Sequence, residues 1–255
     1  MPTGPRKAGE FCWINVLTPD PAAAQGFFSS LFGWTYLEIP GMGHRIQVDG
    51  HDIGGMWDHA SPNTPPGVPP GIGVMVRVDS ADAMASRVTE LGGTAKPAFD
   101  IMEQGRMAEC HDPNGANFDL WQPNASPGMT ADGTRHGAPS WFELMASDRD
   151  KAVKFYQALF GWAATTMPMP GFDYTVMKLG DSMVAGMMQI TPDMGNFPSH
   201  WGVYCTVDDV DATARRVEEL GGTITMPLMD IPDTGRMVGF TSPQGVMLYA
   251  ITYSN

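Results

Sequence analysis

The sequence predicts an α+β protein of tandem duplicated domains, each built from two βαβββ modules whose strands form curved mixed sheets with helices on the outer face. Three observations predict it. The stretch Asp20 to Phe32-Gly33-Trp34 returns as Asp148 to Phe160-Gly161-Trp162, and Trp13 ahead of the first copy returns as Trp141, all at a spacing of 128 residues. The match then continues: Val78-Asp79 with Leu91-Gly92-Gly93 returns as Val207-Asp208 with Leu220-Gly221-Gly222, and Asp100-Ile101 with Gly105-Arg106-Met107 as Asp230-Ile231 with Gly235-Arg236-Met237. Pro113-Asn114-Gly115 likewise returns as Pro243-Gln244-Gly245. Finally, each copy divides again into two rounds of strand, helix and three strands, and a repeat of this reach defines the architecture.

Residues 10–18 read as a strand. Asp20 is the N-cap of a helix that takes Pro21 in its first turn and runs to about Leu31, with Gly33 ending it. Three short strands follow near 34–39, 43–49 and 52–58, with turns at Pro40-Gly41 and Asp49-Gly50. After the Pro-rich connector Ser61–Pro70, a strand at 72–78 leads to a helix at about 80–91, ended by Gly92-Gly93. Strands near 94–100, 106–111 and 116–122 complete the copy. The second copy repeats the order, with a connector at Pro192–Ser199. Pro123–Pro139 is rich in Gly, Pro, Ser and Thr and reads as a linker. The division is therefore a domain at 1–123, a linker at 124–138 and a domain at 139–255. Short turns cannot join parallel strands, so the helices are crossovers and the hairpins antiparallel pairs.

Composition bounds the function. Two copies of about 125 residues are each of ordinary domain size, and 43% hydrophobic residues are enough for two cores. A formal charge of −13 argues against nucleic acid and against anionic membranes. No window approaches a membrane span, and the first ten residues lack the apolar core of a signal peptide. Cys12, Cys110 and Cys205 form no CxxC pair, which excludes a disulfide framework and a zinc-thiolate site and points to a reducing, cytoplasmic setting. The 20 Met residues suit either a cavity for bulky apolar ligands or ordinary core filling.

Trp13, Asp20, Phe27-Phe28, Phe32-Gly33-Trp34, and Asp112-Pro113-Asn114-Gly115 leading to Asp119, with their partners in the second copy, resemble the vicinal oxygen chelate superfamily. That superfamily includes glyoxalase I, bleomycin-resistance proteins and extradiol dioxygenases. The four-module form also resembles actinobacterial hydroxylase-like and 27-kDa antigen proteins. The resemblance covers nearly the whole chain and implies paired modules closing a cup-shaped sheet around a ligand cavity. It further implies metal ligands (His, Gln or Glu) on the first and last strands of each module. Those positions hold Trp13 and Trp141, Gly73 and Gly202, Asp119 and Tyr249, and loosely Met56 and Met187. Indole has no lone pair for a metal, and one carboxylate does not hold a divalent ion against water. His44, His51, His59, His111, Glu109 and Asp112 gather in the first copy, but the aligned positions are Tyr174 for His44 and Thr241 for His111. The expectation is metal independence, with no cofactor.

Period-two alternation places Trp13 with Asn15, and Trp141 with Glu143, on one strand face each. By the implied geometry Met56, Met75, Asp119 and Trp121 line the first cup with them, and Met187, Tyr204, Met247 and Tyr249 the second. Indoles, phenols and thioethers with few polar groups suit a flat aromatic ligand. Glu143 with Tyr249, or Asp119, could act in acid–base chemistry; the alternative is that Glu143 bonds a backbone amide or an indole N–H and does no chemistry. The Arg106 and Arg236 motifs read as fold maintenance through Asp100 and Asp230. The expected function is metal-independent binding of a small aromatic or antibiotic-like molecule by a monomer or homodimer. The alternatives are an enzyme of aromatic, polyketide or antibiotic metabolism (a hydroxylase, lyase or dioxygenase-like activity) and a regulatory protein with a surface partner.

Overall fold

The computed structural model describes residues 6–61, 64, 67–169, 171–195 and 197–254. Residues 1–5, part of the segment read as lacking a signal-peptide core, lie outside the described residues, as do 62, 63, 65 and 66 of the first connector and 196 of the second. The first copy comprises β1 (Phe11–Thr18), α1 (Pro21–Phe32), β2 (Thr35–Ile39), β3 (Gly43–Val48), β4 (His51–Asp58), β5 (Gly71–Arg77) and α2 (Ala81–Glu90). It ends with β6 (Thr94–Ala95), β7 (Phe99–Ile101), β8 (Gly105–His111) and β9 (Asn117–Pro123). The second comprises β10 (Pro139–Ala146), α3 (Arg149–Phe160), β11 (Ala163–Met169), β12 (Phe172–Leu179), β13 (Ser182–Gln189), β14 (His200–Thr206) and α4 (Val210–Glu219). It closes with β15 (Thr223–Ile231), β16 (Gly235–Thr241) and β17 (Met247–Tyr253).

Each copy forms one mixed sheet, in the order β2-β3-β4-β1-β5-β9-β8-β6, with β7 also on β8, and β11-β12-β13-β10-β14-β17-β16-β15. Strand β1 runs parallel to β4 and β5 to β9, as β10 does to β13 and β14 to β17, whereas the hairpins are antiparallel. The tandem duplicated α+β architecture is thus present. One strand differs from expectation. The stretch 94–100 breaks into β6 and β7 around Pro97, which has no N–H to give the ladder. The second copy keeps β15 continuous through Pro227 by shifting register between Ile224 and Met226 and again between Met226 and Met229.

The helices form for local reasons. The Asp20 carboxylate accepts the Ala23 N–H at 3.0 Å, and Ala24, Phe27, Phe28, Leu31 and Phe32 recur at helical spacing and are buried. In α3 the Asp148 carboxylate caps Lys151 at 3.0 Å. No described helix is long and apolar enough to cross a membrane. The arginine motifs clamp helix to strand. Arg106 donates to Asp100 at 3.0 Å and forks onto Asp82 of α2 at 2.7 and 2.9 Å. Arg236 repeats this with Asp230 at 2.8 Å and Asp211 of α4 at 3.0 and 3.3 Å.

By contact the chain gathers into two compact units, each drawn from both copies: Met1–Trp13, Gly73–Gly128 and Trp141–Gly202 in one, Ile14–Ile72, Met129–Ser140 and Val203–Asn255 in the other. In the first unit Phe11 stacks on Phe142 with ring centroids 4.1 Å apart, and Phe118 meets Tyr156 edge-on at 5.5 Å. In the second, Phe28 and Phe32 pack on Trp34, and Phe32 on Phe240. Each Phe-Gly-Trp motif does more than cap a helix and fill a core. Trp162 Nε1 donates to the Gly9 carbonyl at 2.9 Å, and Trp34 Nε1 to the Gly137 carbonyl at 2.7 Å, both buried. Gly9 and Gly137 are themselves 128 residues apart, just ahead of β1 and β10. Each motif therefore holds the beginning of the other copy. The linker segment shares in this: Met129, Ala131 and Ala138 are buried, and Thr206 Oγ1 donates to the Gly133 carbonyl at 2.6 Å.

One buried carboxylate belongs to the scaffold. Asp112 Oδ1 accepts the N–H groups of Asn114 at 2.8 Å and Ala116 at 3.0 Å, holding the turn into β9. Burial nevertheless raises its carboxyl above the ordinary aspartate range.

Two outcomes are expected. Trp34→Phe leaves the buried Gly137 carbonyl without its donor and should cost about 1–3 kcal/mol, read from urea denaturation; an unchanged midpoint would show that the indole bond holds nothing. A carboxyl raised in the fold contributes stability at low pH that is lost as pH rises through the carboxylate range, so Asp112→Asn should gain on the wild type between about pH 3 and pH 6. Parallel stability profiles for the two proteins would contradict that.

Candidate functional site

Three polar groups on one face of the second sheet meet at β10. The Trp141 indole donates to the Tyr174 hydroxyl at 2.9 Å, and that hydroxyl donates to Glu143 Oε2 at 2.8 Å. Register explains the meeting. Glu143 lies opposite Gly186 of β13, which lies opposite Val176 of β12, so Trp141, Glu143, Gly186, Val176 and Tyr174 share one face. The space comes from Gly186. A Cβ there would land on the Tyr174 hydroxyl, 2.6 Å from its Cζ and 3.1 Å from Trp141 Nε1. Around the three polar groups this face carries Met145 and Met188, with Met167 opposite Tyr174 and Phe172 opposite Met169. Met167 and Phe172 are 42% and 38% exposed, an apolar rim beside an otherwise shielded centre.

Met187 lies on the reverse face. It pairs with Leu144 and Thr175 and is fully buried. Met56 does the same in the first copy, pairing with Val16. Asn15 opposes Gly55, and its Oδ1 accepts the Trp57 indole N–H at 3.2 Å. Trp13 packs with Cys12, Met75 and Trp121, joined by Ile101 and Met107. Met75 opposes Asp119, which in turn opposes Glu109 on β8, and Lys96 pairs with that glutamate. Tyr204 and Tyr249 are stacked with centroids 4.5 Å apart, and Met247 opposes Thr241. Glu143 thus accepts from the Tyr174 phenol, and Tyr249 lies in a ring stack with Tyr204.

Tyr174 is the residue that sequence reasoning passed over, because it was aligned with His44. Register corrects this by one residue: His44 opposes Met56 as Thr175 opposes Met187, and the counterpart of Tyr174 is Gly43. A readable signal existed in Gly186, a glycine inside a strand that marks close approach of another group.

The chemistry of the family's ligand positions does not suit a divalent metal. Two are indoles, one of them committed to a phenol; two are glycines; Tyr249 is stacked on Tyr204; Met56 and Met187 are buried thioethers, which leaves Asp119 as the one carboxylate. Among the described residues no three His, Cys, Asp or Glu side chains are grouped to hold an ion. Burial pushes the Cys110 thiol up to about 12, which leaves it protonated and inert as a ligand at neutral pH. A groove of about 510 Å³ between α1 and α4, lined by Leu31, His136, Asp208, Thr213 and Arg216 among others, contains none of the candidate residues.

Residues 138–249 match the family profile of the Glyoxalase/Bleomycin resistance protein/Dioxygenase superfamily. The chain is 37% identical over 242 residues to a putative glyoxylase, CFP32, of Mycobacterium tuberculosis, spanning 92% of this chain and 91% of that protein. It belongs to this superfamily. It is also 33% identical over 253 residues to the anthracycline biosynthesis protein DnrV of Streptomyces peucetius, covering 93% and 90%. The superfamily fold is seen in an Mn(II)-bound glyoxalase from Novosphingobium aromaticivorans, with TM-score 0.66, 15% identity and coverage of 96% and 82%. It recurs in 2,2',3-trihydroxybiphenyl 1,2-dioxygenase of Sphingomonas wittichii, with TM-score 0.68, 13% identity and coverage of 96% and 91%.

Gly186→Ala should push the Tyr174 ring off its bonds and cost about 1–3 kcal/mol, the range for overpacking a filled site. Adding Tyr174→Phe to that variant should recover part of the loss, because the clash with the hydroxyl goes with it. Strictly additive effects in a double-mutant cycle would show that the glycine does not make room for the phenol.

Proposed function

We propose that the chain binds a small, flat aromatic or antibiotic-like molecule, without a metal, on the β10–β13–β12–β11 face of the second copy. The observation that carries the reading is the bonded group Trp141, Tyr174 and Glu143 set among thioethers, with Met167 and Phe172 open at its edge. Such a face offers an aromatic ring stacking area and one fixed polar point, the usual make-up of an apolar ligand site. The identity with a protein named for anthracycline biosynthesis supports a fused-ring ligand. Metal independence rests on indoles and glycines where the family's ligands would stand.

A second reading, an enzyme of aromatic, polyketide or antibiotic metabolism, draws on one observation. Glu143 is 7% exposed and bonded to a phenol, an arrangement suited to proton transfer once a substrate lies against it. Tyr249 beside Glu143, or Asp119 in the first copy, are the further groups this reading would employ.

Protein purified without chelator should hold metal far below one equivalent. Titration with a fused-ring aromatic should quench Trp fluorescence equally with and without EDTA, and Trp141→Phe should weaken binding by about tenfold, the loss of one good aromatic contact of ~1.4 kcal/mol. Stoichiometric Fe, Mn, Ni or Zn whose removal abolishes binding would overturn the metal-free reading. Turnover of the bound ring, lost in Glu143→Gln, would favour the enzyme.

A further inference from the structure

Three arginines of the chain meet carboxylates in one pattern, and one of them is half used. Arg106 gives Nη1 to Asp100 and turns its Nε–Nη2 edge onto both oxygens of Asp82. Arg236 does the same with Asp230 and Asp211. Arg45 on β3 gives Nη1 to Asp52 at 3.2 Å and, among the described residues, meets no second carboxylate. Its side chain is 30% exposed, so a ligand can reach it. Both oxygens of Asp52 are engaged, since Oδ1 accepts the Gln47 amide at 2.7 Å. Arg45 opposes Gly55 of β4 from one side as Asn15 of β1 does from the other, so the two share a face with Trp57. Asn15 Oδ1 accepts the Trp57 indole N–H, which leaves the amide its two N–H donors. Leu37, opposite Arg45 on β2, is 51% exposed and gives the face an apolar rim. At the same register the second copy holds Glu143 for Asn15 and Val176 for Arg45.

We infer that the first copy has a binding site of its own, on the β1–β4–β3–β2 face, and that it takes a planar aromatic carboxylate. The ligand's carboxylate meets the Nε–Nη2 edge of Arg45, and its ring lies against Trp57 and Leu37. This site is separate from the one proposed on the second copy and does not depend on it. Three physical points carry it. A guanidinium presents five donors in a planar fork, and one edge of that fork matches the two oxygens of a carboxylate. Arg106 and Arg236 already use that edge in this way within the same chain. Asp52 holds the fork through Nη1, so less side-chain freedom is lost when a ligand docks. The side-chain acceptors of the row are also engaged, with Gln47, with Arg45 and with the Trp57 indole. The groups left to a ligand are therefore donors. Such a face selects a molecule that brings acceptors and leaves an ammonium group unpaired.

Three probes of one shape test this by calorimetric titration: 2-naphthoate, an anion; 2-naphthamide, neutral; and 2-naphthylmethylamine, a cation at neutral pH. Naphthoate should bind at least about tenfold more tightly than the amide, and the amine most weakly of the three. The chain's formal charge of −13 repels anions, so a preference of that sign cannot come from its overall field. Arg45→Gln should bring naphthoate down to the level of the amide. Because that variant also takes a partner from Asp52, substitutions at the exposed Leu37 serve beside it. Leu37→Glu should weaken naphthoate by about threefold and Leu37→Lys strengthen it by as much, neither moving the amide. Trp141→Phe alters the second copy's face and should leave the preference for naphthoate intact, which separates the two sites. Equal binding of naphthoate and amide would overturn the inference, as would tightest binding of the amine or no binding of naphthoate at all. So would a preference that survives Arg45→Gln, one that ignores charge at Leu37, or one that disappears in Trp141→Phe.

Discussion

Two indole N–H bonds hold the duplicated chain to itself. Trp162 reaches the carbonyl of Gly9 and Trp34 that of Gly137, each inside a packed aromatic cluster. A buried carbonyl needs a donor, and in these places the donor is supplied by the other copy. The stub ahead of β1 and the stub ahead of β10 are thereby pinned, and with them the strands that bear Trp13 and Asn15, Trp141 and Glu143. The backbone at Gly137 has φ of 80°, and a Cβ there would meet the Phe32 carbonyl, so the residue before the second copy is constrained as tightly as any core position. A segment composed like a flexible tether here puts Met129, Ala131 and Ala138 into the interior.

That scaffold leaves the sheet faces free to diverge. The reverse faces of β10, β12 and β13 are closed by Phe142, Leu144, Met177, Ala185 and Met187, all fully buried, with Thr175 beside them. On the other face a single glycine, Gly186, lets a tyrosine lean across a strand and bond both an indole and a carboxylate. The first copy lacks that tyrosine, holding Gly43 in its place, and satisfies its Trp57 with a neutral amide. The superfamily fold is shared with an Mn(II)-bound glyoxalase, yet the positions that correspond to the family's ligands carry rings, glycines and thioethers, with Asp119 the one carboxylate. Fold and chemistry separate here, as they do wherever one architecture hosts many sites.

Much of the fold was legible in the chain. Asp20 and Asp148 announce helix starts, Gly33 and Gly161 their ends, and the matched Arg106 and Arg236 are clamps whose Asp100 and Asp230 partners could be named beforehand. These features work over short sequence distances, where one side chain and a neighbouring backbone group decide the outcome. The candidate site was half legible. Alternation along β10 put Trp141 and Glu143 together correctly, because strand period is a local property. The bond between Tyr174 and Glu143 was not legible, since Tyr174 reaches across β13 to make it, and cross-strand register depends on hairpin geometry and bulges. An offset of one residue in aligning His44 was enough to hide it. Met56 and Met187 suffered from the same parity and lie on the reverse face.

By itself the sequence determined the duplication, the order of elements, the superfamily, and the presence of rings where metal ligands are expected. All of these follow from residue identity and spacing along the chain. Only the tertiary structure decided that Trp34 and Trp162 serve the opposite copy, that part of the linker is buried, and that Trp141, Tyr174 and Glu143 form one bonded group over Gly186. Those outcomes rest on which strands lie side by side and how much room a missing Cβ leaves between them. That is a matter of packing in three dimensions, which no spacing along one chain encodes.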